Sequence, residues 1–231
     1  MRPFSEIIER LRHYYGRPAA PPAHGPFELV LWENACYLLP DERRLEVFQA
    51  LRHKVGLNAA AIDAAPDRVL LPIALRGGMR PEMRVFRWRE IARITLNQYD
   101  GDLDSILDQP YAEAKKALKQ FPTISDPGAE KILLLCGIAG GLPLESNGLR
   151  VLCRMGWGHE QKSYQATYRS VQEALKPELP TQASSLKQAH LLLRMHGKTL
   201  CNDKAPLCHA CPVSSDCNFG QRAIAPPPPV P

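Results

Sequence analysis

The chain has 231 residues, 45% of them apolar, enough to bury a sizeable core and to read as an ordinary globular protein. Its net charge of +5 suits an anionic partner without requiring one. The longest apolar stretch, KILLLCGIAGGLPL at 131–144, is far too short to span a bilayer and the charge-studded N-terminus has no secretory core, so a reducing cytoplasm is expected.

Residues 4–15 have helical apolar spacing (Phe4, Ile7, Ile8, Leu11, Tyr14, Tyr15), and RPAAPPAHGP then predicts a proline-rich connector. From Phe27 the same periodicity predicts helices near 27–38, 41–54, 58–64, 67–73, 82–97 and 102–108. Further segments follow near 110–119, 127–139, 146–155, 164–175 and 184–195. No stretch alternates with period 2, so the chain reads as all-α. The final AIAPPPPVP cannot form a packed element and predicts a disordered tail.

After the last predicted helix, four of the seven cysteines fall within CNDKAPLCHACPVSSDC, residues 201–217. Their spacing is Cys201-x6-Cys208-x2-Cys211-x5-Cys217. In a reducing compartment, clustered thiols read as metal ligands. Four soft thiolates satisfy either a tetrahedral zinc or the four irons of a [4Fe–4S] cube. Zinc sites usually carry two tight C-x2-C knuckles; this loop has one, and its longer arms suit a larger object. Cys36, Cys136 and Cys153, on apolar helical faces, read as small core residues.

The cysteine spacing resembles the iron–sulfur loop of the helix-hairpin-helix DNA glycosylases, in the branch of endonuclease III and adenine DNA glycosylase. LLLRMHGKTLC, which leads into the first cysteine, Cys201, and the Cys-Pro pair at 211–212 are similar to that family's approach to its cluster. The resemblance implies a [4Fe–4S] cofactor on Cys201, Cys208, Cys211 and Cys217. LESNGLRVLCR at 144–154 is similar to the family's L-D-G-N-V-x-R-V-L-x-R, which carries the catalytic carboxylate at a helix start. Leu144, Asn147, Arg150, Val151, Leu152 and Arg154 match, and Glu145 stands at the acidic position. A carboxylate beside C1′ would stabilise the positive charge that builds on the sugar as an N-glycosidic bond breaks, or activate the attacking water. Read without the family, an acid there simply favours a helix N-terminus.

FPTISDPGAEKIL at 121–133 corresponds to the family's hairpin, typically L-P-G-V-G-R followed by Lys or Ser and Thr-Ala. Thr123 and Ser125 replace the turn glycines whose N–H groups approach a DNA phosphate, which reshapes the grip and offers two hydroxyls as substitute donors. Asp126 is expected as an N-cap, with Pro127 at the first helical position. Pro127 also takes the place of the Schiff-base lysine, removing the nucleophile for strand nicking and implying a monofunctional, water-using enzyme. Lys131, one turn further on, reads as a helix-surface lysine.

PFELVLWENACYLLPD at 26–41 resembles the family's first core helix and puts Glu33 where adenine glycosylases keep the acid that protonates the departing base. Tyr37, Leu38 and Leu39 replace the polar residues that follow it, which points to a different base or to none. LRGGMRPEMRVFRWREIAR at 75–93 has six arginines beside Phe86 and Trp88. It predicts phosphate contacts and stacking through Arg80, Arg84 and Arg87, or else a solvated helix face.

The resemblance runs from about Pro26 to Cys217 and implies an all-α, two-lobed helix-hairpin-helix fold. One domain would span 26–135 with its hairpin at 121–128; the other would join 1–25 to 136–220, carry the loop 201–217 and precede a tail at 221–231. It implies a monomeric, nucleoid-associated protein that holds double-stranded DNA between its lobes, turns a damaged or mispaired base toward Glu145, and sets Lys198 and Lys204 near phosphates. The expected activity is that of a monofunctional DNA glycosylase in base excision repair. The rival reading is a DNA-binding protein that keeps the scaffold and the cluster without catalysis.

Overall fold

The structure, a computed structural model, describes residues 2–224. Among these residues there are twelve α-helices and no strand. They begin with α1 (Phe4–Tyr15), α2 (Gly25–Glu33), α3 (Asp41–Lys54), α4 (Ala59–Ala64), α5 (Asp67–Leu75) and α6 (Pro81–Gln98). After α7 (Tyr111–Leu118) and α8 (Asp126–Leu135) come α9 (Ser146–Met155), α10 (Tyr164–Leu175), α11 (Ala183–Thr199) and α12 (Asn218–Ile224). No helix among the described residues is long and apolar enough to cross a membrane.

The helices form two compact units: Pro21–Ile138, and the residues up to Ala20 together with those from Ala139 onward. In the inner unit α2 buries Leu29, Val30, Leu31 and Trp32, nearly its whole circumference, which is why its sequence shows a continuous apolar run instead of a stripe. Trp88 and Ile91 of α6, Phe48 and Leu51 of α3, and Ile132 and Leu133 of α8 complete this core. The same run explains an overreach in the predicted helix 27–38. The helix stops at Glu33, and the next residues form a turn in which Leu38 takes a left-handed backbone (φ 54°). Residues 102–108 likewise form a 3₁₀ turn at Asp104–Asp108 instead of an α-helix.

In the outer unit α1 lays Phe4, Ile7 and Leu11 into the core, and its first turn is closed by Glu178, whose Oε2 accepts from the Phe4 N–H at 2.5 Å. Phe4 stands edge-on to Trp157 at 5.8 Å between ring centroids. The strongly amphipathic α9 buries Gly148, Leu149, Val151, Leu152 and Met155 and packs on α11. It ends where Gly156 adopts a left-handed backbone (φ 109°). The short α12 includes residues 221–224, which the sequence assigns to the tail; the rest of that expected tail, 225–231, lies outside the described residues.

Candidate functional site

Glu145 occupies the N-cap position of α9 with an extended backbone, yet its side chain does not cap the helix. One carboxylate oxygen accepts from Asn147 Nδ2 at 2.9 Å and the other from Arg194 Nε at 3.2 Å. The side chain remains 25% exposed. It is therefore an aimed anion that solvent still reaches, not a structural cap. Tyr164 lies close by, with its hydroxyl donating to Leu144 O at 2.8 Å. Burial, and then the charge of Glu145, push that phenol up to about 12, so it stays a neutral donor. Beside it, a cavity of about 390 Å³ follows this face of α9 and is lined by Ser146, Arg150, Cys153 and Tyr164.

Asn147 extends the constraint. Its Oδ1 accepts from Arg150 Nη2 at 2.9 Å, and Arg150 also donates to Gly197 O at 2.7 Å and to Cys201 O at 3.0 Å. One turn later Arg154 donates to Asn202 O at 2.6 Å and Asp203 O at 2.9 Å. Its guanidinium also faces Cys201 Sγ at 3.4 Å and lies over the Phe219 ring, 4.8 Å from the centroid. Residues four apart share a helix face. The two arginines thus fasten the start of the cysteine loop to the helix that begins at Glu145.

Cys201, Cys208, Cys211 and Cys217 line one cavity, walled by Val151, Met155, Leu200 and Val213. Burial pushes the Cys211 thiol up to about 11 and raises that of Cys217, so the thiols stay protonated until a cation binds and displaces their protons. Among the described residues, no group of three or more His, Cys, Asp or Glu side chains is arranged to hold a single metal ion. Four soft donors around one apolar-walled cavity, with N–H groups already turned toward Cys201 and Cys217 and the His196 ring beside Cys211, fit a four-cornered group. These residues would hold a [4Fe–4S] cluster, which supplies electron exchange and a rigid cross-link when bound. Of the other cysteines, Cys36 is buried but lies in the turn after α2, not on a helix face; Cys136 caps the end of α8, and Cys153 is half-buried.

The hairpin departs from the family pattern, and the structure shows how the chain accommodates this. Thr123 has φ +65°, the left-handed backbone that a glycine would normally provide. Its hydroxyl donates to Asn34 Oδ1 at 3.0 Å, and Asn34 Nδ2 donates to Val30 O and Pro122 O, each at 3.0 Å. The Thr123 hydroxyl is thus engaged within the protein, which corrects its expected use as a phosphate donor. Ser125, exposed, is the N-cap of α8, Asp126 is the first helical residue and Pro127 the second, one position away from the sequence assignment. Asp126 is paired with Lys119 at 3.0 Å and Lys115 at 3.1 Å. The hydrogen bond from Lys119, ahead of Lys115, holds its carboxyl below the usual range, so no uncompensated acid faces outward from the hairpin.

Glu33 ends α2, and it is not an exposed helix glutamate. Lys131 Nζ lies 2.7 Å from its Oε2 and Arg44 Nη1 lies 3.9 Å from its Oε1, with all three side chains less than a fifth exposed. Lys131 is correspondingly not a surface lysine. Arg80 is exposed just ahead of α6 in a left-handed conformation, and Arg87 is half-buried on that helix. Arg84 must be withdrawn as a DNA contact: it is buried, and its guanidinium donates to Ala74 O at 2.7 Å and Gly77 O at 2.6 Å, with Gly78 O and Met79 O slightly further off. Lys198 at the end of α11 and Lys204 in the cysteine loop are both exposed. Sequence reasoning missed Arg194, Tyr164 and Asn34. A signal existed for the first, a lone cation inside the apolar run LLLRM.

No family model matches the chain. Among solved structures, an endonuclease III in a non-covalent complex with DNA matches with a TM-score of 0.77 over 95% of this chain and 96% of its own, at 16% identity. The chain has the endonuclease III fold. By sequence, endonuclease III homolog 1, chloroplastic, of Arabidopsis thaliana is 27% identical over 206 residues, 85% of this chain. The endonuclease III of Sulfolobus acidocaldarius is 26% identical over 120 residues, 52% of this chain. The chain spans about half the length of each of these curated relatives. These matches bear out the resemblance to endonuclease III and the helix-hairpin-helix glycosylases read from the cysteine spacing and the LESNGLRVLCR segment.

Proposed function

We propose that this endonuclease III-fold chain is a monofunctional DNA glycosylase that hydrolyses the N-glycosidic bond of a damaged or mispaired base in double-stranded DNA. The observation that carries the reading is the Glu145 carboxylate, part-exposed at the start of α9 and aimed by Asn147 and Arg194 rather than used as a cap. In this reading Glu145 stabilises positive charge on the sugar as the base departs, or takes a proton from the attacking water. Pro127 offers no amine and Lys131 is committed to Glu33, so the chemistry runs through water and not through a covalent imine. Glu33, held by Lys131 within the inner unit, is the candidate for the acid that protonates a departing base. Ser125, Arg80, Arg87, Lys198 and Lys204 would meet phosphates, and a [4Fe–4S] cluster on the four loop cysteines would hold the last two in register. The protein would act as a monomer in the cytoplasm, on the nucleoid.

A second reading, a DNA-binding protein without catalysis, draws support from the engaged Thr123 hydroxyl and from the ion-paired state of Glu33. Base release decides between them. End-labelled duplexes carrying uracil, hypoxanthine, alkylated purines, oxidised pyrimidines or adenine opposite 8-oxoguanine are incubated with cluster-loaded protein, with and without alkali. Alkali-dependent cleavage of one substrate, lost in Glu145→Gln, supports the glycosylase and names its lesion. Cleavage without alkali overturns the monofunctional assignment. Binding to abasic duplex with no release from any substrate supports the second reading.

A further inference from the structure

We infer that Tyr15 and His196 form a hydrogen-bond relay that fixes the Cys211 corner of the cysteine loop and sets the potential and retention of the cluster bound there; the inference rests on the [4Fe–4S] assignment above. His196 lies near the end of α11 and is 1% exposed. Its Nε2 is 3.6 Å from Cys211 Sγ, and its Nδ1 is 2.9 Å from the hydroxyl of Tyr15 on α1, whose ring stands edge-on to the imidazole. The Tyr15 hydroxyl is also 2.9 Å from Thr199 Oγ1, which in turn lies 2.9 Å from Met195 O. Four side chains and one carbonyl are thus linked in a line that ends on a sulfur.

Proton counting gives this line a direction. A neutral imidazole has one N–H, which either ring nitrogen can carry. With a free thiol, Cys211 S–H can donate to Nε2, His196 Nδ1–H to Tyr15, Tyr15 to Thr199 and Thr199 to Met195 O. A metal-bound thiolate has no proton to give and accepts only. The chain then reverses: Nε2–H donates to Sγ, Tyr15 O–H to the bare Nδ1, and Thr199 O–H to Tyr15 in place of Met195 O. Tyr15, able to accept or to donate, thus supports the tautomer that suits the loaded loop and holds the ring in place. An N–H donated to a ligating sulfur withdraws charge from it and favours the more electron-rich state of a cluster. Both residues are positioning residues, acting through Cys211.

The test compares wild type with His196→Phe and Tyr15→Phe, each anaerobically reconstituted and assayed for iron, sulfide, visible absorbance, reduction potential by protein-film voltammetry on DNA-free electrodes, and loss of absorbance under chelator. Both variants are expected to move the potential to more negative values, His196→Phe further than Tyr15→Phe. His196→Phe should also lose its cluster about 10-fold faster. Tyr15→Phe keeps the ring in place, so if His196→Phe does not fold, the tyrosine variant alone decides. Unchanged potential and unchanged cluster loss in a loaded Tyr15→Phe protein overturn the relay while leaving the cofactor assignment standing. Wild-type protein that takes up no iron and sulfide overturns both.

Discussion

Gly197 and Asn147 meet so closely where α11 crosses α9 that a methyl group on Gly197 would lie 2.7 Å from both the Cβ and the carbonyl oxygen of Asn147. Only hydrogen fits there. Asn147 also holds one oxygen of Glu145 and the guanidinium of Arg150, so the crossing distance sets where the carboxylate points. Gly197→Ala is expected to cost about 1–3 kcal/mol in urea denaturation. If Glu145 carries the chemistry, the same variant should slow single-turnover base release by up to about 100-fold, since small displacements of a reacting group are that costly. Release at the wild-type rate in a measurably destabilised protein would detach the carboxylate's position from this contact.

The Glu33–Lys131 pair joins the end of α2 to the middle of α8 with little access to water. Removing one partner strands the other, so Lys131→Met should destabilise the protein by about 1–3 kcal/mol, between the values for surface and fully buried pairs. The double variant Glu33→Gln, Lys131→Met should recover part of that loss. A denaturation series on wild type, Glu33→Gln, Lys131→Met and the double variant measures the coupling directly.

Asp126 makes stability depend on pH in a defined window. Its carboxyl is held below the usual 3.8 by hydrogen bonding to Lys119, so its contribution is fully present above that value and is lost as pH falls through the lower folded value. Because the side chain is 41% exposed, the contribution stays under about 1 kcal/mol and shrinks with salt. Melting curves of wild type and Asp126→Asn should differ at pH 6 and low salt, and converge both in strong salt and in acid below the folded value.

Arg84 supports the turn between α5 and α6 by donating to carbonyls inside the inner unit. Lysine cannot reproduce the planar fork. Arg84→Lys should therefore lose about 2–4 kcal/mol, nearly as much as Arg84→Met, because buried carbonyls go unpaired in both. Chemical denaturation of the two variants tests this; a lysine variant as stable as wild type would refute the fork requirement.

The extent of α3, α9 and α10 was legible because each has local punctuation: Pro40 before α3, Glu145 before and Gly156 after α9, and Ser163, which accepts from Ala166 N, before α10. The α2 boundary was not, since apolar residues continue past Glu33 into a turn that only tertiary contacts define. The same limit applies to the site. The cysteine loop and Glu145 stand out as local spacings, whereas Arg194 and Asn34 act on partners brought to them by folding. Thr123 and Asn34 are 89 positions apart, and nothing in either neighbourhood announces the other. The hairpin looked defective from its missing glycine, and became intelligible once a distant amide was seen to hold a strained threonine.

The outer unit is assembled from both ends of the chain, with all of Pro21–Ile138 intervening. During synthesis the inner unit has its entire sequence available while α11 and the cysteine loop are still untranslated. Arg2 and, on α1, Arg10 and Tyr15 are made before the inner unit, whereas their partners Asp216 and His196 are made after it. The α1 apolar stripe must therefore wait for its partner α11 until the inner unit has been made. Closure of this unit, and with it the gathering of the four thiols, must follow synthesis of the whole inner unit, so a ribosome stalled before Cys201 would present a finished inner unit beside an orphaned amphipathic helix suited to chaperone capture.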